Sequence, residues 1–107
     1  MAKTRKYESS RVFKDMYIDV VALANEIART LDGMGFSASI KEKGLLKKAL
    51  TVQFSKMERS MFKFAKIEGE FAFSGSPDNL TISVKYERIG KGSKEWGEQV
   101  KNLWSSI

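Results

Sequence analysis

The sequence predicts a two-layer α+β domain in which two helices cover one face of a four-stranded antiparallel meander, in the order α-β-β-β-β-α. Three observations lead to this fold class. Apolar residues recur every three or four positions near both ends of the chain, they alternate with polar residues through its middle, and short turn sequences separate the alternating segments. The first pattern is typical of amphipathic helices and the second of half-buried strands, and short loops between consecutive strands favour antiparallel pairing.

A long first helix is predicted from Arg11 to Gly33. Ser9 or Ser10 stands where a side-chain oxygen can accept from the first free backbone N–H groups, and Gly33 or Gly35 offers the left-handed residue that ends many helices. The apolar stripe of this helix consists of Phe13, Met16, Tyr17, Val20, Leu23, Ala24, Ile27 and Leu31.

Three segments alternate clearly and predict strands, namely 36–41, 50–55 and 80–87. The first two are expected to form a hairpin across the turn at Gly44. The segment 56–74 is harder to interpret because Phe62 and Phe64 fall on one parity while Ile67, Phe71 and Phe73 fall on the other, and one flat strand cannot bury both sets. It is therefore either one strand with a bulge near Ala65 or two shorter strands that meet at a bend.

A short second helix is predicted after Gly90-Lys91-Gly92, with Ser93 as its cap. The whole order of elements resembles that of the TATA-binding-protein-like and helical-grip architectures, and a resemblance of architecture does not by itself indicate a function. The expected core is Phe13, Val20, Leu23, Ile27, Leu31, Ile40, Val52, Phe54, Ile82, Val84, Val100 and Leu103.

One domain is the natural interpretation of 107 residues, and we expect it to span residues 11–107. Residues 1–10 are expected to form a basic N-terminal arm that is partly disordered. The N-terminal residues carry no apolar stretch typical of a secretory signal, and the longest mainly apolar stretch is far too short to span a membrane. We therefore expect a cytoplasmic protein that has no membrane partner.

The chain contains no histidine and no cysteine. Histidine is the commonest general base and metal ligand near neutral pH, and cysteine is the most nucleophilic side chain. Their absence excludes zinc fingers, thiol catalysis, Ser-His-Asp triads and haem attachment. We therefore expect a non-enzymatic protein with no cofactor and no metal site. Glu68 and Glu70 share a strand face, but alternating glutamates usually mark only the solvated side of a strand.

The net charge of +6 is unevenly placed. Residues 41–66 hold eight basic side chains against two acidic ones, and the first eleven residues hold four against one. Clustered cations attract polyanions through counterion release, so the sequence predicts a module that binds nucleic acid. The candidate contacts are Lys41, Lys43, Lys47, Lys48, Arg59, Lys63 and Lys66, helped by Lys3, Arg5 and Lys6, with Phe62 and Phe64 as candidates for base stacking.

Two alternatives stay open at this point. The second-ranked interpretation is a scaffold or assembly subunit that binds another protein, or a second copy in a homodimer, through the exposed sheet face. An acidic protein surface is also a candidate partner of the chain. The third interpretation is a carrier of an apolar ligand held between helix and sheet. The side chains expected on the exposed face are Ser37, Ser39, Thr51, Gln53, Ser55, Thr81, Ser83, Lys85 and Glu87.

Overall fold

The computed structural model describes residues 4–43 and 49–107, with Lys43 as backbone only. It has an α+β fold built from one antiparallel five-stranded sheet and two helices. The elements are β1 (Arg5–Lys14), α1 (Val20–Gly33), β2 (Ser37–Lys43), β3 (Ala49–Arg59), β4 (Phe64–Ser76), β5 (Asn79–Ile89) and α2 (Ser93–Ser105). Across the sheet the strands follow the order β1-β5-β4-β3-β2. The predicted class is confirmed, but the number of strands is five rather than four.

The extra strand corrects the prediction of a long first helix. Residues 5–14 form β1, which pairs with β5, and α1 begins only at Val20. Asp19 caps α1 by accepting from the Ala22 N–H at 3.0 Å, so neither Ser9 nor Ser10 has that role. The apolar residues near Phe13 have a spacing that fits a helix. The alternation typical of a strand is hidden in β1 because its inward-facing residues Ser9 and Arg11 are polar. Residues 5–10 of the expected arm accordingly lie in β1.

The ambiguous segment 56–74 contains two strands joined by a hairpin turn. Strand β3 continues to Arg59, β4 starts at Phe64, and these two residues are cross-strand partners. Within the turn, the Ser60 N–H donates to the Lys63 carbonyl oxygen at 2.8 Å. The change of parity therefore arises at a reversal of the chain and not at a bulge near Ala65.

Both helices pack on one face of the sheet, α1 over β2 and β3 and α2 over β4 and β5. Seven of the twelve predicted core residues are buried, and Phe13, Val20, Leu23 and Leu103 pack against the core while only partly buried. Ile40 was predicted wrongly, because 37% of it is exposed on β2, an edge strand with no neighbour on its outer side. The buried members of the prediction are Ile27, Leu31, Val52, Phe54, Ile82, Val84 and Val100.

The sheet supplies a cation to the carboxyl end of each helix, since neither helix has a basic residue in its last turn. Arg11 donates from Nη1 to the Ile107 carbonyl oxygen at 2.7 Å and from Nη2 to that of Trp104 at 3.0 Å, with its guanidinium 4.2 Å from the centroid of the Trp104 ring. The Trp104 Nε1–H in turn donates to Ser9 Oγ at 2.9 Å. Two polar residues that face inward on β1 thus hold the end of α2.

Lys56 performs the same task for α1. Its Nζ donates to the Met34 carbonyl oxygen at 3.2 Å and lies 5.4 Å from the ring centroid of Phe36 and 5.1 Å from that of Trp96. A cation at this position complements the negative end of the helix dipole. Helices α1 and α2 have 14 and 13 residues, and neither, within the described residues, is long and apolar enough to cross a membrane.

Truncating two isoleucines tests the assignment of the core. Ile82→Ala should lower the free energy of unfolding by about 2–5 kcal/mol, because this side chain is fully buried. Ile40→Ala makes the same chemical change on the same sheet face at an exposed edge, and should cost clearly less. Urea denaturation followed by far-UV circular dichroism measures both values. Equal losses would mean that β2 is as deeply buried as β5.

Replacing Arg11 tests the connection between β1 and α2. Arg11→Met keeps the aliphatic length but removes both hydrogen bonds to the helix end, and should cost about 1–3 kcal/mol of stability. Arg5→Met is the matched control, because Arg5 is exposed on the same strand and exposed substitutions usually change stability by less than about 0.5 kcal/mol. An unchanged urea midpoint for Arg11→Met would show that α2 is held by its apolar face alone.

Candidate functional site

One end of the sheet gathers several exposed cations. At this end β1 begins, β5 ends, α2 begins and the β3–β4 hairpin turns back, and we call it the hairpin end. The strand register defines it, because Arg5 is opposite Arg88, Lys66 is opposite Ile89 and Arg59 is opposite Phe64. The turn before α2 closes against the base of the hairpin, where a side chain on Gly90 would collide with the backbone of Phe64 and Ala65.

Five of the predicted cations lie at the hairpin end: Arg5, Lys6, Arg59, Lys63 and Lys66. Lys41 does not, since it pairs with Thr51, eight positions before Arg59 along β3, which is about 26 Å at the usual rise of a strand. The 41–66 segment therefore does not present its cations as one continuous surface. Lys3, Lys47, Lys48 and the side chain of Lys43 lie outside the described residues.

Lys91 and Lys94 belong to the same end, although the sequence prediction left them out. Both are exposed in the turn and first residues of α2, directly after β5 reaches the hairpin end. The sequence prediction missed them because it placed no chain reversal between Arg59 and Phe64, and this turn is what brings the end of β5 and the hairpin to one end of the sheet. Together with the five cations above and with Arg88, which is opposite Arg5, they outnumber the nearby carboxylates eight to four. Those carboxylates are Glu58, Glu68, Glu87 and Glu95.

The tip of the hairpin, residues 57–64, carries apolar side chains that the fold does not bury. Phe62 is 90% exposed and Met61 is 88% exposed at the turn, while Met57 and Phe64 on the two strands are 60% and 42% exposed. The Arg59 guanidinium lies 5.4 Å from the centroid of the Phe64 ring, in the range of a cation–π contact. Rings and cations thus alternate over a few residues.

The sheet face opposite the helices, which we call the open face, holds a cleft of about 550 Å³. Two rows of side chains cross it: Lys6, Glu87, Glu68, Ser55 and Ser37 in one, and Glu8, Lys85, Glu70, Gln53 and Ser39 in the other. Six of the nine residues expected on this face line the cleft. Of the other three, Thr51 is buried and Thr81 and Ser83 are half-buried.

The cleft is acidic on balance, with four carboxylates against two lysines among its lining residues. Lys6 Nζ lies 3.4 Å from a Glu87 carboxylate oxygen, and Lys66 Nζ at the margin lies 3.5 Å from one of Glu68. Across residues 4–43 and 49–107 no three acidic, histidine or cysteine side chains are grouped so that they could hold a metal ion. The lining therefore repels a phosphate backbone, in contrast with the hairpin end.

Gly69 on β4 is opposite Tyr86 on β5, and the backbone of β5 comes close to it there. A Cβ added there would lie 2.7 Å from the Tyr86 Cα and collide with the Lys85 carbonyl oxygen. A glycine inside a strand is typical of such a close approach of a neighbouring backbone.

Comparisons with known proteins indicate no family. No protein-family model matches the chain, and no curated protein matches it. Among solved structures the chain is similar to the Mll3558 protein from Rhizobium loti, with 13% identity over 98% of this chain and 95% of that one and a TM-score of 0.43.

Substituting Gly69 tests the geometry of the cleft. Gly69→Ala should destabilise the protein by about 1–3 kcal/mol or more, because the new methyl group has to displace backbone. Gly33→Ala is the matched control, since a Cβ there would meet nothing within 4 Å and alanine is favoured in a helix by up to about 1 kcal/mol. A Gly69→Ala protein with wild-type stability would contradict the close approach.

Proposed function

We propose that this protein is a non-enzymatic module that binds nucleic acid through its hairpin end. One observation carries the proposal: the fold brings Arg5, Lys6, Arg59, Lys63 and Lys66 from distant parts of the sequence to one end and adds Lys91 and Lys94. A surface of this kind neutralises phosphates and releases their counterions. The cytoplasmic location expected from the sequence belongs to the same proposal.

The cations at the hairpin end differ in how readily they can meet a phosphate. Lys6 and Lys66 already contact Glu87 and Glu68, so a phosphate would have to replace those carboxylates. Lys63, Lys91 and Lys94 are exposed, and within the described part of the chain they form no ion pair. These three are the first residues we expect to contact the backbone of a nucleic acid.

A second candidate function is favoured by the cleft on the open face. The cleft has hydroxyl and amide groups on β2 and β3 and an excess of carboxylates. Its size and these groups suit a polar, positively charged segment of another protein. Because the cleft offers little apolar surface, a second copy of the same acidic face is a poor occupant, and we do not extend the homodimer hypothesis. The carrier hypothesis gains no support from this cleft either, since it lies away from the helices and is polar.

Two matched pairs of lysines test the proposed interface. Lys63→Gln with Lys91→Gln should weaken binding to a single strand and reduce the slope of log affinity against log salt by about 1.4, or about 0.7 for each lost phosphate contact. Lys14→Gln with Lys41→Gln removes the same charge away from the hairpin end and should leave most of the affinity. Fluorescence anisotropy titrations between about 50 and 200 mM salt measure both effects.

Equal losses in the two double variants would mean that net charge, rather than the hairpin end, determines binding. If the wild-type protein bound neither DNA nor RNA at about 50 mM salt and tens of micromolar protein, the proposal would fail, because non-specific binders usually have dissociation constants in or below that range. Binding to another protein through the open face would then be the leading function.

A further inference from the structure

We infer that the ligand of the hairpin end is single-stranded nucleic acid, with unpaired bases stacked on Phe62 and Phe64. This inference rests on the proposed function and adds the class of nucleic acid. Its basis is the tip of the hairpin, where two aromatic rings that the core does not use stand among the cations.

The tip extends beyond the neighbouring strands. On one side, β2 pairs with β3 only as far as Ser55, and on the other, β5 pairs with β4 only from Lys66. The residues between them form a two-stranded ribbon that, among residues 4–43 and 49–107, has no further neighbour in the sheet. Phe62, at the end of this ribbon, is therefore accessible to a base from the solvent.

Phe64 is arranged differently, at the base of the tip. It is the cross-strand partner of Arg59, whose guanidinium lies against its ring, and 42% of it is exposed. A base that stacks on this ring would place its own phosphate near Arg59 and the exposed Lys63. Aromatic stacking on bases beside a positive backbone groove is the usual way in which proteins bind single strands without sequence preference.

Whether these rings can stack on bases depends on whether the nucleic acid is single-stranded or base-paired. In a duplex, both faces of each base are covered by neighbouring bases, so a ring can stack on a base only after a base step is unstacked, which costs a few kcal/mol. An unpaired strand offers phosphates to the cations and base faces to the rings. The tip should therefore increase affinity for single strands and leave affinity for duplexes almost unchanged.

An anionic membrane is the competing ligand, because Met57, Met61 and Phe62 are also apolar. Insertion of the tip would carry Lys63 and Arg59 toward the hydrocarbon, where charged side chains are costly. Each nucleotide offers one base face and one phosphate, which suits a ring beside a cation, as at Phe62 with Lys63 and at Phe64 with Arg59. This arrangement favours nucleic acid, and vesicles provide the means to detect the other outcome.

The experiment compares three probes of equal length, about 20 nucleotides or base pairs, which exceeds the usual site of one small domain. They are oligo-dT, an abasic strand with the same phosphates but no bases, and a duplex. The wild-type protein should bind oligo-dT more tightly than the abasic strand. Phe62→Leu keeps an apolar side chain but removes the ring, and should weaken oligo-dT binding by about 5- to 150-fold while changing abasic and duplex binding little.

Controls separate a lost ring from a lost fold and from membrane binding. Phe62→Tyr should keep the wild-type preference, Met61→Leu should change none of the three affinities, and circular dichroism should show each variant folded, since both positions are exposed. Equal affinity for oligo-dT and the abasic strand, unaffected by Phe62→Leu, would overturn the inference and leave the proposed function intact. Failure of all three probes would overturn both. Binding to vesicles of phosphatidylcholine and phosphatidylserine that survives Phe62→Leu, without the oligo-dT preference, would assign the tip to a membrane.

Discussion

The two cations that the sheet places at the carboxyl ends of its helices are the constraint on which the rest of this structure depends. Arg11 on β1 holds the end of α2, and Lys56 on β3 holds the end of α1. Each cation also contacts a tryptophan ring of α2. The same side chain thus holds a helix by hydrogen bonds and packs against an aromatic ring. Because both helices are held on one face, the open face and the hairpin that extends from the sheet remain accessible to other molecules.

This arrangement separates the charges of a basic protein into regions with different properties. The hairpin end carries an excess of cations, whereas the cleft on the open face carries an excess of carboxylates, and Lys6, Glu68 and Glu87 lie where the two regions meet. A polyanion should therefore approach the end of the sheet and avoid its open face. The exposed rings of the hairpin tip lie on the cationic side of this division, which is why we connect them with the same ligand. Had they lain on the acidic face, a protein partner would have been the stronger proposal.

The sequence predicted α2 and strands β2, β3 and β5, because their apolar patterns are regular. Its core list included seven of the seventeen apolar residues that are buried within the described part of the chain. It failed at β1, where Ser9 and Arg11 face inward to hold α2, so a tertiary contact between residues more than 90 positions apart hid the strand pattern. It left the path of segment 56–74 ambiguous, because Phe62 and Phe64 are apolar and alternate as buried residues do, whereas both are exposed. Lys91 and Lys94 were missed because the turn between β3 and β4 was not recognised, so the prediction did not show that this turn and the end of β5 lie at the same end of the sheet. The errors thus arose in two situations: where a polar residue faces inward to bond another element, and where an apolar residue is exposed to solvent instead of packing in the core.

The most direct test of the account is to map the bound surface residue by residue. Backbone amide chemical shifts, recorded in two-dimensional NMR spectra while oligo-dT is added to the wild-type protein, report which parts of the chain a strand touches. We predict that the largest changes fall on residues 57–66 and 91–94, with small changes at Ser39, Gln53 and Glu70 in the cleft. Largest changes in the cleft, or at residues far from the hairpin end such as Lys14 and Lys41, would contradict the account.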